Sequence, residues 1–155
     1  MAKKLSRPIP RRRLESGSLN SAGVLFYSRS TDRFLFLMRN DWRKNRLWGI
    51  PGGKCEPGES LLDTLIRECQ EEIDYWPANA KPIPLEKFDT PTNSFTYHTF
   101  MVVIEHEFIP VLNQEHVAYA WAGLRSVPKP LHPGLWNTLS VLEVKKKIAQ
   151  IQTSA

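Results

Sequence analysis

The chain has 155 residues, 41% of them hydrophobic and 24% charged, with a formal net charge of +5. That length is enough for one domain with a sizeable core, and no apolar run is long enough for a bilayer-spanning helix. Cys55 and Cys69 are the only cysteines, fourteen positions apart, which excludes a disulfide framework and a zinc-ligand spacing and leaves two buried or idle thiols.

Residues 1–18 read as a basic flexible arm, and residues 19–155 as a single domain. Lys3, Lys4, Arg7, Arg11, Arg12 and Arg13 supply six positive charges before the first core element, so the remainder is close to neutral. The arm carries no following apolar segment, which argues against a secretory signal and makes a cytoplasmic location the expectation. It is read as a solvated tail, with RNA or another polyphosphate as the alternative partner.

Ala22–Tyr27 and Phe34–Met38 are predicted strands, joined through the polar residues 28–33 as a hairpin. Residues 40–46 form a charged loop, and Trp48-Gly-Ile-Pro-Gly-Gly53 cannot be a regular helix. From Ser60 to Ile73 the period changes: Leu62, Leu65, Ile66, Cys69 and Ile73 recur at steps of three or four and define one apolar helical face. Ser60 is the expected N-cap, with Asp63 as its acidic capping-box partner. Strand signal returns at 95–104 and 117–121, and residues 135–151 are predicted to form one closing amphipathic helix. Mixed strands with two helices place the chain in the α/β or α+β class.

The chemistry concentrates between Gly52 and Glu72. Glu68, Glu71 and Glu72 stand at i, i+3 and i+4, so three carboxylates share one helix face and repel one another. A hard divalent cation would reverse the sign of that repulsion. Taken alone, the trio fits better a solvated face with an Arg67–Glu71 pair, and it is the preceding loop that shifts the balance. The preceding Gly52-Gly53 allows close approach of a ligand to backbone, Gly58 marks a turn, and Glu59 is placed to orient Arg67. No Gly-Lys-Ser/Thr ending follows, so a P-loop is excluded.

Gly53 to Tyr75, GKCEPGESLLDTLIRECQEEIDY, resembles the Nudix box G-x5-E-x7-R-E-U-x-E-E-x-G-U, where U is bulky and aliphatic. Gly53, Glu59, Arg67, Glu68, Glu71 and Glu72 match in identity and spacing. Cys69, Asp74 and Tyr75 depart from the pattern at U, G and U, and none of these removes a carboxylate. The resemblance implies an α/β/α sandwich with a mixed central sheet and a box that forms a loop–helix–loop. It also implies hydrolysis of a diphosphate bond, with Mg²⁺ or Mn²⁺ held by Glu68, Glu72 and the carbonyl of Gly53 or Gly52. Glu71 would be a further ligand and Arg67 a structural brace.

For the general base the sequence offers Glu68 and Glu115, with His116 as a third choice more often found at the surface. Arg39, Arg43 and Lys44 are candidate phosphate contacts; Phe88, Tyr97 and Trp121 are candidate base-stacking groups. Pro91, sixteen residues beyond Tyr75, matches a marker of members that cleave ADP-ribose. The expected substrate is therefore a nucleoside diphosphate linked to another group, ADP-ribose-like or a dinucleoside polyphosphate. A modified nucleoside triphosphate and an RNA 5′ end are the alternatives. A non-catalytic nucleotide-binding domain is disfavoured because all four box glutamates are present. Dimers are frequent in the family, so a homodimer is an expected assembly.

Overall fold

The structure is a computed structural model that describes residues 19–44, 46–92 and 94–154; the basic arm lies outside the described residues. Strand β1 (Leu19–Ser28) organises the sheet. Along its whole length it pairs in parallel with β6 (Phe95–Ile104), from Leu19 against Phe95 to Ser28 against Ile104. Its other edge is divided. Tyr27 and Ser28 pair antiparallel with β2 (Arg33–Arg39), while Ser21 to Gly23 pair with β4 (Gly52–Lys54). Between them the Val24 amide donates to the carbonyl of Pro51 at 2.9 Å. The sheet thus forks at β1, and the glycine-containing loop enters the fork.

Strand β2 carries β7 (His116–Ala122) on one side and the two-residue β3 (Trp48–Gly49) on the other, both antiparallel. A 3-10 turn, Trp42–Lys44, lies in the loop between β2 and β3. Strand β5 (Ile83–Asp89) closes the far edge on β6.

Side-chain alternation gives the sheet two apolar faces. Ala22, Val24, Phe26, Leu35, Leu37, Val102 and Ile104 pack beneath α1 (Leu61–Ile73), whose Leu65, Cys69 and Ile73 are buried against them. Leu25, Tyr27, Phe34, Phe36 and Met101 face the other way, toward Leu135 of α2 (Pro133–Ser140) and Val144 and Ile148 of α3 (Leu142–Ser154). This is the expected α/β/α sandwich on a mixed sheet. Among the described residues, no helix is long and apolar enough to cross a membrane.

Helix α1 begins as its sequence requires. Ser60 Oγ accepts from the Asp63 amide at 3.1 Å, and Asp63 Oδ2 accepts from the Ser60 amide at 3.2 Å. It ends at Asp74, left-handed at φ 52°, where the box pattern has glycine; Asp is among the few side chains that tolerate that region.

Three elements differ from expectation. Strand β5 is additional: Pro84 and scattered charges weaken its signal, yet an edge strand tolerates the missing proline donor, and the register shifts between Pro84 and Glu86. The loop before the box contains the short strands β3 and β4. The single closing helix is two helices, because Val141 is extended at φ −71° and ψ 126°. The break allows Leu135 in one helix and Val144 and Ile148 in the next to bury against the same sheet face.

Candidate active site

The site is built where α1 crosses the fork of the sheet. Gly53 is paired with Ala22, and a Cβ at Gly53 would lie 2.6 Å from the Glu68 carboxylate carbon. Only glycine permits that approach of backbone to carboxylate. Gly52 is constrained separately: at φ 154° an added Cβ would meet the Ala22 carbonyl oxygen at 2.3 Å. Its amide donates to Glu72 Oε1 at 2.8 Å, so the loop and helix are pinned at one point.

One flank of α1 is a satisfied ion network. Arg67 donates through Nε to Glu59 Oε2 at 2.6 Å and through Nη2 to Glu59 Oε1 at 2.9 Å, a bidentate pairing. Nη1 reaches Glu68 Oε1 at 2.7 Å, and Nη2 the carbonyl of Lys54 at 3.0 Å. Glu59 also accepts from the Glu56 amide at 2.7 Å and from the Thr64 hydroxyl at 3.0 Å. The hydrogen bonds from Arg67 hold the Glu59 carboxyl down at about 2, and the same pairing raises Arg67 above its ordinary value. Glu59 and Arg67 therefore act as a brace across the loop and helix. Glu71 is half-exposed on this flank, with Oε1 3.5 Å from Arg67 Nη1.

The other flank gathers like charges. Glu68 and Glu72 are 1% and 4% exposed, unusual burial for two glutamates one turn apart. Glu115, half-buried in the segment entering β7, joins them: one oxygen from each of the three lies within 4.8 Å of the others. At that separation two unit charges repel by roughly 3 kcal/mol at an effective dielectric of about 20. Arg67 reaches Glu68 of the three, with Nη1 2.7 Å from Oε1. The donor set is all oxygen, and the glycine cradle beside Glu68 leaves room for a further backbone ligand. These residues fit a hard divalent cation. Glu71 lies outside this trio.

Glu115 is held by partners the sequence did not reveal. Its amide donates to Asn113 Oδ1 at 2.9 Å, and Asn113 Nδ2 donates to its Oε2 at 3.3 Å. The Asn40 amide donates to the Glu115 carbonyl at 2.8 Å, which fastens the end of β2 to this wall. No local pattern marks Asn40, whose contact depends on strand pairing, whereas Asn113 reaches Glu115 from two residues away in a local turn. Cys69, on the buried face of the helix next to Glu68, is fully buried, and burial followed by the charges of Glu72 and Glu68 pushes its thiol up.

The remaining sequence candidates are dispersed. His116 is buried, not at the surface: it is 7% exposed, its Nδ1 has no hydrogen-bond partner among the described residues, and burial followed by Arg39 pushes it down to about 4. Arg39 is exposed at the end of β2, opposite His116. The Lys44 side chain lies outside the described residues. Arg43 sits over the ring of Trp42, 5.2 Å from its centroid. Phe88 and Tyr97 are cross-strand neighbours, 40% and 48% exposed, and Lys54 lies over the adjacent Phe95. Trp121 has a packing role: Nε1 donates to the Phe108 carbonyl at 3.1 Å, and its ring meets Phe108 edge-on. Pro91 occupies the β5–β6 turn, which the Thr90 amide closes onto the Phe95 carbonyl at 2.9 Å.

Comparison with known proteins agrees with this geometry. The NUDIX domain family matches residues 18–142. The rat bis(5′-nucleosyl)-tetraphosphatase (asymmetrical) is 30% identical over 122 residues, covering 69% of this chain and 80% of that protein. An Ap4A hydrolase of C. elegans superposes with a TM-score of 0.67 at 19% identity, covering 84% of this chain and 97% of the other. A MutT Nudix hydrolase from Burkholderia pseudomallei gives 0.62 at 20% identity, covering 81% and 98%. With the family domain spanning most of the chain and its glutamates gathered against Gly53, the protein belongs to the Nudix family of pyrophosphohydrolases.

Proposed function

We propose that the enzyme hydrolyses a diphosphate bond in a dinucleoside polyphosphate, using Mg²⁺ or Mn²⁺ held by Glu68 and Glu72 beside the Glu115 carboxylate. The convergence of those three carboxylates from two separate elements carries the reading. The likeness to the rat tetraphosphatase favours a substrate with a nucleoside at each end over ADP-ribose. Pro91 is accounted for by its turn and adds nothing to the ADP-ribose alternative.

When bound, divalent ions neutralise the diphosphate and lower the pKa of coordinated water. The chain's own residues supply the rest. Glu72 and Glu68 are held on a rigid helix, one by the Gly52 amide and the other by Arg67. Glu115 stands on a different element, and we assign it as the base that takes the proton of the attacking water. Water oxygen bonds to phosphorus, the bridging P–O bond breaks, and the departing nucleotide keeps the bridging oxygen. Arg67 and Glu59 keep the helix in register with the loop and do not touch the reacting atoms. Arg39 and Arg43 are assigned to the phosphate chain, and Phe88 with Tyr97 to a base.

Cys55 and Cys69 are unbridged thiols, which supports a reducing, cytoplasmic setting. The test is a panel of diadenosine tetraphosphate, ADP-ribose, nucleotide sugars and oxidised deoxynucleoside triphosphates, with products resolved by chromatography. The proposal expects diadenosine tetraphosphate to have the highest kcat/KM. A tenfold preference for any other substrate class would replace it.

A further inference from the structure

Trp42 is 70% exposed, in a loop whose remaining residues are polar or charged. A single exposed aromatic group is ordinary on a protein surface. Its surroundings distinguish this one. The Arg43 guanidinium lies over its ring, 5.2 Å from the centroid, which orients the indole and leaves its opposite face uncovered by that contact. The loop is anchored at its base: the Arg39 amide donates to the Leu47 carbonyl at 2.9 Å, and the Arg46 amide to the Asp41 carbonyl at 3.2 Å. It is also tied to the reaction site, because the Asn40 amide and side chain donate to the carbonyls of Glu115 and Gln114 at 2.8 and 3.0 Å. Only Asp41 separates Asn40 from Trp42, so their Cα atoms are at most about 7 Å apart.

An indole with a cation on one face, in a loop hydrogen-bonded to the segment that carries Glu115, has the chemistry of a nucleobase platform. We infer that Trp42, oriented by Arg43, stacks one base of the substrate and is a specificity-determining residue. The inference rests on the nucleotide reading of the carboxylate site. Sheet order supports a substrate with two bases: Trp42 lies in the loop joining β2 to β3, the strands at one end of the sheet, while Phe88 and Tyr97 lie on β5 and β6 at the other. Base stacking is sequence-tolerant, so Trp42 selects for the presence of an aromatic base rather than for one base over another.

Two measurements test this. Steady-state kinetics with diadenosine tetraphosphate should show KM raised about tenfold in Trp42→Ala, the scale of one lost base–aromatic stack. Trp42→Phe should restore most of that loss, and Trp136→Ala, which removes another exposed tryptophan on α2, should leave KM at the wild-type value. Separately, AMP titrated into metal-free protein should quench tryptophan fluorescence in the wild type and much less in Trp42→Phe. If the wild type turns over no nucleotide, the hydrolase reading fails while the AMP titration still judges Trp42. An unchanged KM in Trp42→Ala, or full quenching in Trp42→Phe, overturns the inference. So does a change in sedimentation of Trp42→Ala at unchanged KM, which would assign the ring to a contact between copies.

Discussion

The two flanks of α1 carry the same residue type in opposite electrostatic states. On one, Glu59 has a bidentate arginine, a backbone amide and a hydroxyl, and its charge is stabilised by the protein alone. On the other, Glu68, Glu72 and Glu115 each bring one carboxylate oxygen within 4.8 Å of the others. The braced flank has what a structural ion pair needs. The crowded flank is an arrangement that folding alone does not favour and that a divalent cation would relieve. The contrast separates these glutamates by their partners: Glu59, Glu68 and Glu72 come from one short stretch, and Glu115 from a distant one before β7.

The largest expected effect breaks the crowded flank. Glu115→Gln should lower kcat by a factor of about 10²–10⁴, the usual worth of a positioned base. In metal-free buffer its melting temperature should be equal to or above that of the wild type, since a like charge is removed. A Glu115→Gln protein with undiminished kcat would return the base to Glu68.

Gly53→Ala sharpens the comparison by displacing one carboxylate without altering its charge. A Cβ there enters the space of Glu68, and kcat/KM should fall on the order of 10- to 100-fold, as for lost support of a metal ligand. Gly58→Ala is the control. Gly58 has φ 85° and open space around it, so alanine should cost about 1 kcal/mol of stability while activity is retained. Equal kinetic losses in the two variants would show that the cradle has no special role.

The braced flank predicts a pH signature in place of a kinetic one. Because the folded-state value of Glu59 is about 2, below its ordinary 4.5, its contribution is present above pH 4.5 and lost as pH falls toward 2. Glu59→Gln should therefore be less stable than the wild type by about 1 kcal/mol at neutral pH, allowing for solvent screening of a partly exposed pair. The difference should shrink on acidification through that window. Urea titrations at a series of pH values measure it, and a difference that is constant with pH would contradict the brace.

The smallest effect concerns the basic arm. Deleting residues 1–14 should leave turnover of small nucleotides unchanged; a parallel assay on 5′-triphosphorylated RNA decides whether the arm holds polymer. Unchanged RNA turnover would remove that role.

Local signals in the sequence were enough for α1, because its cap, its apolar stripe and its glutamates are set by spacing within 23 residues. The first hairpin was legible for the same reason. What escaped depends on distant pairing. Strand β5 has an edge proline and charged neighbours, so its alternation is weak until β6 lies beside it. Val141 has no proline or glycine to announce the break between α2 and α3; packing of Leu135 and Val144 on one sheet face accompanies it. Glu115 was one of several candidate bases, and its position beside Glu68 and Glu72 is visible only once β2 and β7 are paired. His116, its neighbour, was expected at the surface and is buried by the β2–β7 pairing.

The most direct measurement compares wild type with Glu72→Gln on diadenosine tetraphosphate in Mg²⁺, with far-ultraviolet circular dichroism on the same samples. Glutamine keeps the acceptor for the Gly52 amide but removes the charge from the crowded flank. The account predicts an unchanged spectrum and a kcat lower by at least about 10²-fold. A folded Glu72→Gln enzyme with wild-type turnover would contradict it.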